Sequence, residues 1–141
     1  MYLLDTNVVS ELRKVRAGKS DANVAAWADS VDAVELYLSV ITIQELEIGV
    51  LLAERKDAAQ GAVLRAWLVN QVMPSFAGRI LDVTLDVVLR SAALHVPNPR
   101  PVRDGLIAAT ALVHRMTVIT RNEIDFKPTG VLTFNPWRGS S

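Results

Sequence analysis

Residues 102–120 read VRDGLIAATALVHRMTVIT, and this stretch decides the fold. From about Val102 to His114 it is apolar on nearly every side of a helix, and a helix apolar all round is a buried one. Val118-Ile119-Thr120 follows as a short strand rich in β-branched residues. Short apolar strands alternating with helices belong to a parallel sheet, because parallel strands need crossovers and helices supply them.

The same alternation extends outward in both directions. Towards the amino end, Ile80–Val83 reads as a third strand, followed by a helix capped by Thr84 and ending near His95. The segment Pro97-Asn98-Pro99-Arg100-Pro101 is not helical throughout, since each proline pushes the residue before it towards extended geometry. Further back lie a helix over roughly Asp57–Val72 that Pro74 stops, and one to about Glu54 opened by the capping box Thr42-Ile43-Gln44-Glu45. Glu35–Ile41 is the second strand. The first, Tyr2–Leu4, ends on the turn and cap residues Asp5-Thr6-Asn7 and feeds a helix through about Lys14. Ser20 or Asp21 caps a helix with Val24, Ala25 and Trp27 on its apolar face. Beyond Thr120, Gly130–Thr133 is a fifth strand. The expected class is α/β, a three-layer α/β/α sandwich around a central, mainly parallel sheet of roughly five strands.

Composition narrows the function. No Pro/Gly/Ser-rich linker, internal repeat or low-complexity stretch divides residues 1–141, which read as one compact domain. Without cysteine there is no disulfide, thiolate zinc site or thiol nucleophile. Asp5 interrupts the apolar start before a secretory core can form, and Gly105–Val113 is far shorter than the roughly 20 residues that span a bilayer. The expected setting is therefore cytoplasmic, with no membrane. Formal charge is zero, from 15 basic and 15 acidic residues, so any hold on nucleic acid must come from local clusters. The densest is Arg13, Lys14, Arg16 and Lys19, which serves equally well as a solvated loop.

In an open parallel sheet, ligands bind beyond the carboxyl ends of the strands. Three acids fall there: Asp5 at the end of the first strand, Glu45 in the first turn after the second, and Asp104 at the start of the buried helix. Carboxylates brought together raise one another's pKa, so a cluster kept ionised at neutral pH wants a cation. Oxygen donors without thiolate or imidazole suit Mg²⁺ or Mn²⁺. Such an ion lowers the pKa of a water and neutralises a phosphate oxygen, which is phosphodiester-hydrolysis chemistry. Each acid also has a plain structural reading: Asp5 as a helix cap, Glu45 as the N3 residue of its capping box, Asp104 as a helix-start acid favoured by the macrodipole. Residue type and spacing leave both sets of readings open. His95 and His114 lie near helix C-termini, where a cation complements the dipole, and no nucleophile-elbow serine accompanies them. There is no Gly-rich phosphate loop either.

Four stretches in order, Met1–Asn7 (MYLLDTN), Ser39–Gly49 (SVITIQELEIG), Arg103–Ala111 (RDGLIAATA) and Thr117–Phe126 (TVITRNEIDF), resemble the PIN-domain ribonucleases. Within these the chain is similar to the VapC/FitB-like toxins of bacterial toxin–antitoxin pairs, and Phe134-Asn135-Pro136-Trp137 resembles the FitB-like branch. The resemblance implies a PIN-like fold and a Mg²⁺- or Mn²⁺-dependent endoribonuclease acting on single-stranded regions of RNA. It also implies a homodimer, neutralised in a higher assembly by a cognate DNA-binding antitoxin.

Asp5, Glu45 and Asp104 match the family's acidic metal-site positions, and Asn122 stands where many members carry a fourth acid. An asparagine accepts a hydrogen bond or holds a water but adds no charge. Asp125, three residues on, is a further candidate to contribute in place of that acid, although its place in the pattern suggests a loop. The implied roles are direct metal ligation by Asp5 and Asp104, ligation directly or through water by Glu45, and orientation of a water or ligand by Asn122. Thr6, Arg13 and Arg121 are the candidates for contacting substrate, with Arg100 a weaker one. Two rival readings share the pattern: a catalytically weak PIN-like binding module serving a DNA-binding partner in autoregulation, which Asn122 favours, and a 5′ nuclease for structured DNA. The apolar surfaces around Leu51, Val63 and Trp67 are expected to exceed one small core, leaving area for dimerisation or an antitoxin segment. Trp27, Trp67 and Trp137 read as core or interface anchors.

Overall fold

A computed structural model describes residues 1–15 and 17–139. Five short apolar runs become strands: β1 (Tyr2–Leu4), β2 (Leu36–Ser39), β3 (Ile80–Leu81), β4 (Thr117–Ile119) and β5 (Thr133–Phe134). They form one sheet in the order β3-β2-β1-β4-β5, with every neighbouring pair parallel. Register aligns Leu3 with Tyr37 on one side and Val118 on the other, so the carboxyl ends of the central strands share one edge.

Alternation along each strand builds two cores. Leu4, Leu36, Leu38 and Ile119 face α1 (Thr6–Arg13), α2 (Ala22–Ser30), α3 (Val40–Lys56) and α4 (Ala58–Trp67). A π-helical turn over Leu68–Val72 extends α4 into the short α5 (Met73–Ser75). Leu3 and Val118, with Tyr37 and Leu81 at the margin, face the opposite layer of α6 (Leu85–Leu94), α7 (Val102–His114) and α8 (Glu123–Phe126). The three-layer sandwich is the one expected, and α7 has the expected bounds, with Ile107 through Ala111 buried without a break.

The chain runs β1, β2, β3 outwards in one direction, then α6 and α7 carry it back over the sheet to β4 on the other side of β1. Strand order therefore reverses between β1 and β4, and that switch point is where an open sheet leaves a crevice at its carboxyl edge.

Four local expectations need correction. Pro74 does not stop the helix before it. The π turn shifts the bonding register and leaves Pro74 at the start of α5, where no backbone N–H is needed. The capping box at Thr42 does not form. β2 ends at Ser39, whose Oγ accepts from Ile41 N at 3.0 Å, so α3 starts at Val40 and Thr42 lies buried in its first turn. Gly130, at φ +80°, closes a turn and delays the fifth strand to Thr133. Asp125 stands in α8, not in a loop. Among the described residues, no helix is long and apolar enough to cross a membrane.

Candidate functional site

Asp5 leaves the end of β1 with extended backbone and caps α1, its Oδ1 accepting from Thr6 N at 2.8 Å. The cap reading is right and incomplete. The second oxygen, Oδ2, accepts from Thr120 Oγ1 at 2.8 Å and from Asn7 Nδ2 at 3.3 Å. Thr120 follows the end of β4, and its backbone N–H bonds Phe134 O at 3.0 Å while Asp5 N bonds Ile119 O at 2.9 Å. Asp5 and Thr120 thus flank the switch point. Asp5 is only 5% exposed, and burial raises its pKa, opposed by the Thr120 and Thr6 hydrogen bonds and reinforced by the charge of Glu45.

Because α3 begins at Val40, Glu45 lies in its second turn, beyond the reach of any cap. Its structural explanation falls away with the capping box. The carboxylate instead turns to the sheet edge, where Oε1 accepts from Thr6 Oγ1 at 2.7 Å and Oε2 stands 3.6 Å from Arg103 Nε. The buried Thr42 hydroxyl lies 3.4 Å from that of Thr6. Thr6, a candidate for contacting substrate, links Asp5 to Glu45, with its N–H on one and its hydroxyl on the other.

Asp104 occupies the first turn of α7, which opens on Pro101 with no side-chain cap. Its pKa is pushed up to about 6, first by burial, then by the charges of Asp5, Glu45 and Asp125, with Arg103 opposing. Asp104 therefore feels three other acids across this edge. Among the described residues, no three acidic or imidazole groups stand close enough to enclose one ion. The acids sit instead at a longer range, from which the charges of Asp5, Glu45 and Asp125 raise the pKa of Asp104. Carboxylate and hydroxyl oxygens, free of thiolate and imidazole, are the donor chemistry of hard divalent cations.

The other candidates divide. Asn122 is exposed and makes no side-chain cap to α8, though its N–H donates to Thr120 Oγ1 at 2.9 Å. Arg121 follows Thr120 and belongs to the same edge. Arg13 does not: it lies at the far end of α1 from Asp5, its guanidinium 5.9 Å from the centre of the Trp67 ring. Lys14 pairs with Glu11 at 3.4 Å, and Arg16 is outside the described residues. Arg100 is structural, donating from Nε to Leu94 O and from its backbone N–H to His95 Nδ1, both at 3.0 Å. Sequence reasoning missed Thr120, and only its place immediately after β4, opposite Asp5, gives it a role.

A model of the family described as PIN domain matches residues 2–131. The chain is 39% identical to Toxin FitB of Neisseria gonorrhoeae, an alignment covering 97% of this chain and 99% of that protein. It is 37% identical to VapC ribonuclease Y4jK of Sinorhizobium fredii, covering 97% and 98%. Among solved structures it superposes on that of FitAB bound to IR36 DNA fragment with a TM-score of 0.88 and 36% identity, covering 100% of this chain and 99% of that one. With nearly its full length matched in sequence and in fold, the chain belongs to the PIN-domain family, in the group that includes FitB and VapC.

Proposed function

We infer that this chain is a toxin of a toxin–antitoxin pair: a single nuclease domain, acting in the cytoplasm, that hydrolyses phosphodiester bonds in single-stranded regions of RNA. The observation that carries the reading is a set of acids gathered at the switch point of the sheet with little positive charge to match them. The names of its relatives, a toxin and a ribonuclease, support it. The likeness to FitAB bound to DNA supports a DNA-binding partner chain, and a homodimer within that larger assembly is part of the same reading.

Asp5 and Asp104 would hold Mg²⁺ or Mn²⁺, with Glu45 completing the set directly or through water. When bound, the ion supplies the positive charge that activates water and offsets charge on a phosphate oxygen. The chain's own residues do the positioning. Thr120 Oγ1 and Thr6 N fix the two oxygens of Asp5, and the Thr6 hydroxyl fixes Glu45. Asp104, whose pKa burial and its acidic neighbours raise to about 6, is an acid whose charge a bound cation would stabilise. Asn122 would orient a water or the substrate.

The test is cleavage of single-stranded RNA by purified protein with either ion, beside flapped DNA under the same conditions. Asp5→Asn and Asp104→Asn should each lower RNA cleavage by about a hundredfold or more while circular dichroism stays native. Undiminished cleavage by either variant rejects the assignment, and a preference for flapped DNA replaces the substrate. Asn122 in place of a fourth acid favours one other reading, a weakly catalytic module that acts with its DNA-binding partner in autoregulation. Under that reading, partner-free protein with saturating ion cuts nothing.

A further inference from the structure

The edge that holds the acids also holds a cation that the chemistry above leaves unused. Arg121 directly follows Thr120. Its backbone N–H donates to Asn7 Oδ1 at 3.3 Å, and that of Asn122 to Thr120 Oγ1 at 2.9 Å. Two consecutive peptides are thus tied to side chains that themselves bond Asp5. The exposed Arg121 side chain lies across Trp137, its guanidinium carbon 5.1 Å from the ring centre. Trp137 is anchored in turn: its backbone N–H donates to Asn135 Oδ1 at 2.9 Å, its carbonyl accepts from Asn23 Nδ2 at 2.8 Å, and its ring packs at the margin of the core.

A guanidinium laid on an aromatic face keeps its N–H edge available for an anion while giving up much of its rotamer freedom. The neighbouring cation behaves otherwise, since Arg138 pairs with Glu123 at 2.9 Å. Among the described residues no carboxylate lies within ion-pair distance of Arg121. Both arginines line a cleft of about 280 Å³ with Asn122 and Asp125.

The charge balance gives this cation a task. The chain has no net charge, and RNA reaching Asp5, Glu45, Asp104 and Asp125 meets four carboxylates. A bound ion offsets the phosphate being cut but not its neighbour. A fixed cation beside the acids has to do that, because phosphate contacts set the register of a nucleic-acid strand. We propose that Arg121, held against Trp137, grips the RNA phosphate adjacent to the scissile one, with Trp137 as its positioning residue. This rests on the ribonuclease reading and adds a substrate subsite to it.

The experiment uses the full chain and a short fluorescent single-stranded RNA of mixed sequence. Binding is followed by anisotropy in EDTA over a range of salt, and cleavage is followed with Mn²⁺. Arg121→Gln should weaken binding about tenfold, since a charge-assisted bond is lost. It should also flatten the slope of log affinity against log salt by about 0.7. KM should rise while kcat stays near the wild-type value. Trp137→Leu should weaken binding without changing the salt slope, and Trp137→Phe should restore it.

Unchanged affinity and slope in Arg121→Gln overturn the proposal, as does a fall in kcat at constant KM. Loss of partner-protein binding with RNA binding intact overturns it too and gives the arginine to the partner. If the wild type binds RNA through Arg121 in EDTA yet never cuts it with ion, the subsite stands and the ribonuclease reading fails. If the wild type cuts RNA and Arg121→Gln cuts it with the same KM, the reverse holds.

Discussion

Glu45 and Glu47 stand two residues apart on α3 and meet opposite surroundings. Glu47 faces the α3–α4 hairpin, where Arg65 Nη1 donates to it at 2.7 Å, and Arg65 Nη2 and Nε reach Glu54 at 3.3 and 3.4 Å. The Arg65 hydrogen bond lowers the pKa of Glu47 by favouring its charged form. Glu45 faces the sheet edge, where the one cation near it among the described residues, Arg103, is half exposed and 3.6 Å away. Its companions there, Asp5 and Asp104, have raised pKa values, with burial the largest cause for both. One side of the helix pairs its acids with an arginine and gains a clamp between helices. The other gathers acids without matching them, which costs stability unless a cation from solution completes the set.

Substitutions should separate the two regions. Asp104→Asn should lower RNA cleavage by about a hundredfold or more and raise the melting temperature of ion-free protein by a few degrees, because it removes a repelled, half-buried charge. A lower melting temperature would put Asp104 among the structural acids. Thr120→Val removes the hydroxyl that orients Asp5 and should weaken Mn²⁺ affinity by about 10–100-fold, read by calorimetric titration. Unchanged affinity would reduce Thr120 to a link between strands.

In the paired region, a Cβ on Gly61 would lie 2.5 Å from Glu54 Cα, so α3 and α4 approach closely only with glycine there. Gly61→Ala should cost about 1–3 kcal/mol in denaturant unfolding, with cleavage unchanged well below the melting temperature. Glu47→Gln should give a smaller loss of melting temperature and normal cleavage. The smallest effect is a pH slope. Folded Asp104 keeps its proton to about 6, whereas in the unfolded chain it is released near the ordinary carboxyl value of 3.8. Between those values the folded state binds more protons, so the stability of ion-free protein is lost as pH rises through that window. Asp104→Asn should remove that contribution, and an unaltered slope in the variant would trace it elsewhere.

Much of this was legible in the residues. The uniform apolarity of Val102–His114 predicted a buried helix with the bounds observed, and Asp57 and Thr84 cap the helices they were expected to open. Asp5, Glu45 and Asp104 are candidates because strand ends and helix starts share an edge in a parallel sheet. Spacing alone leaves their capping roles equally open, and the family resemblance tips the choice. In the fold the charges of Asp5 and Glu45 raise the pKa of Asp104. What failed was local arbitration. Ser39 and Thr42 are both capping residues, one turn apart, and nothing nearby chooses between them. The choice comes from the sheet, where Ser39 pairs with Leu81 as the last residue of β2. Pro74 was misjudged because a π turn cannot be read from residue preferences. Thr120 was missed because its partner is 115 residues away.

That long separation has a consequence for how the protein is made. Thr120 leaves the ribosome 115 residues after Asp5, and at 5–20 residues per second the interval is on the order of ten seconds. During it the first strand has no β4 beside it, and Asp104 arrives only shortly before Thr120. Until then the acids of the carboxyl edge are not held together, whatever ions surround the chain. The carboxyl edge is assembled only when α7 and β4 dock beside β1.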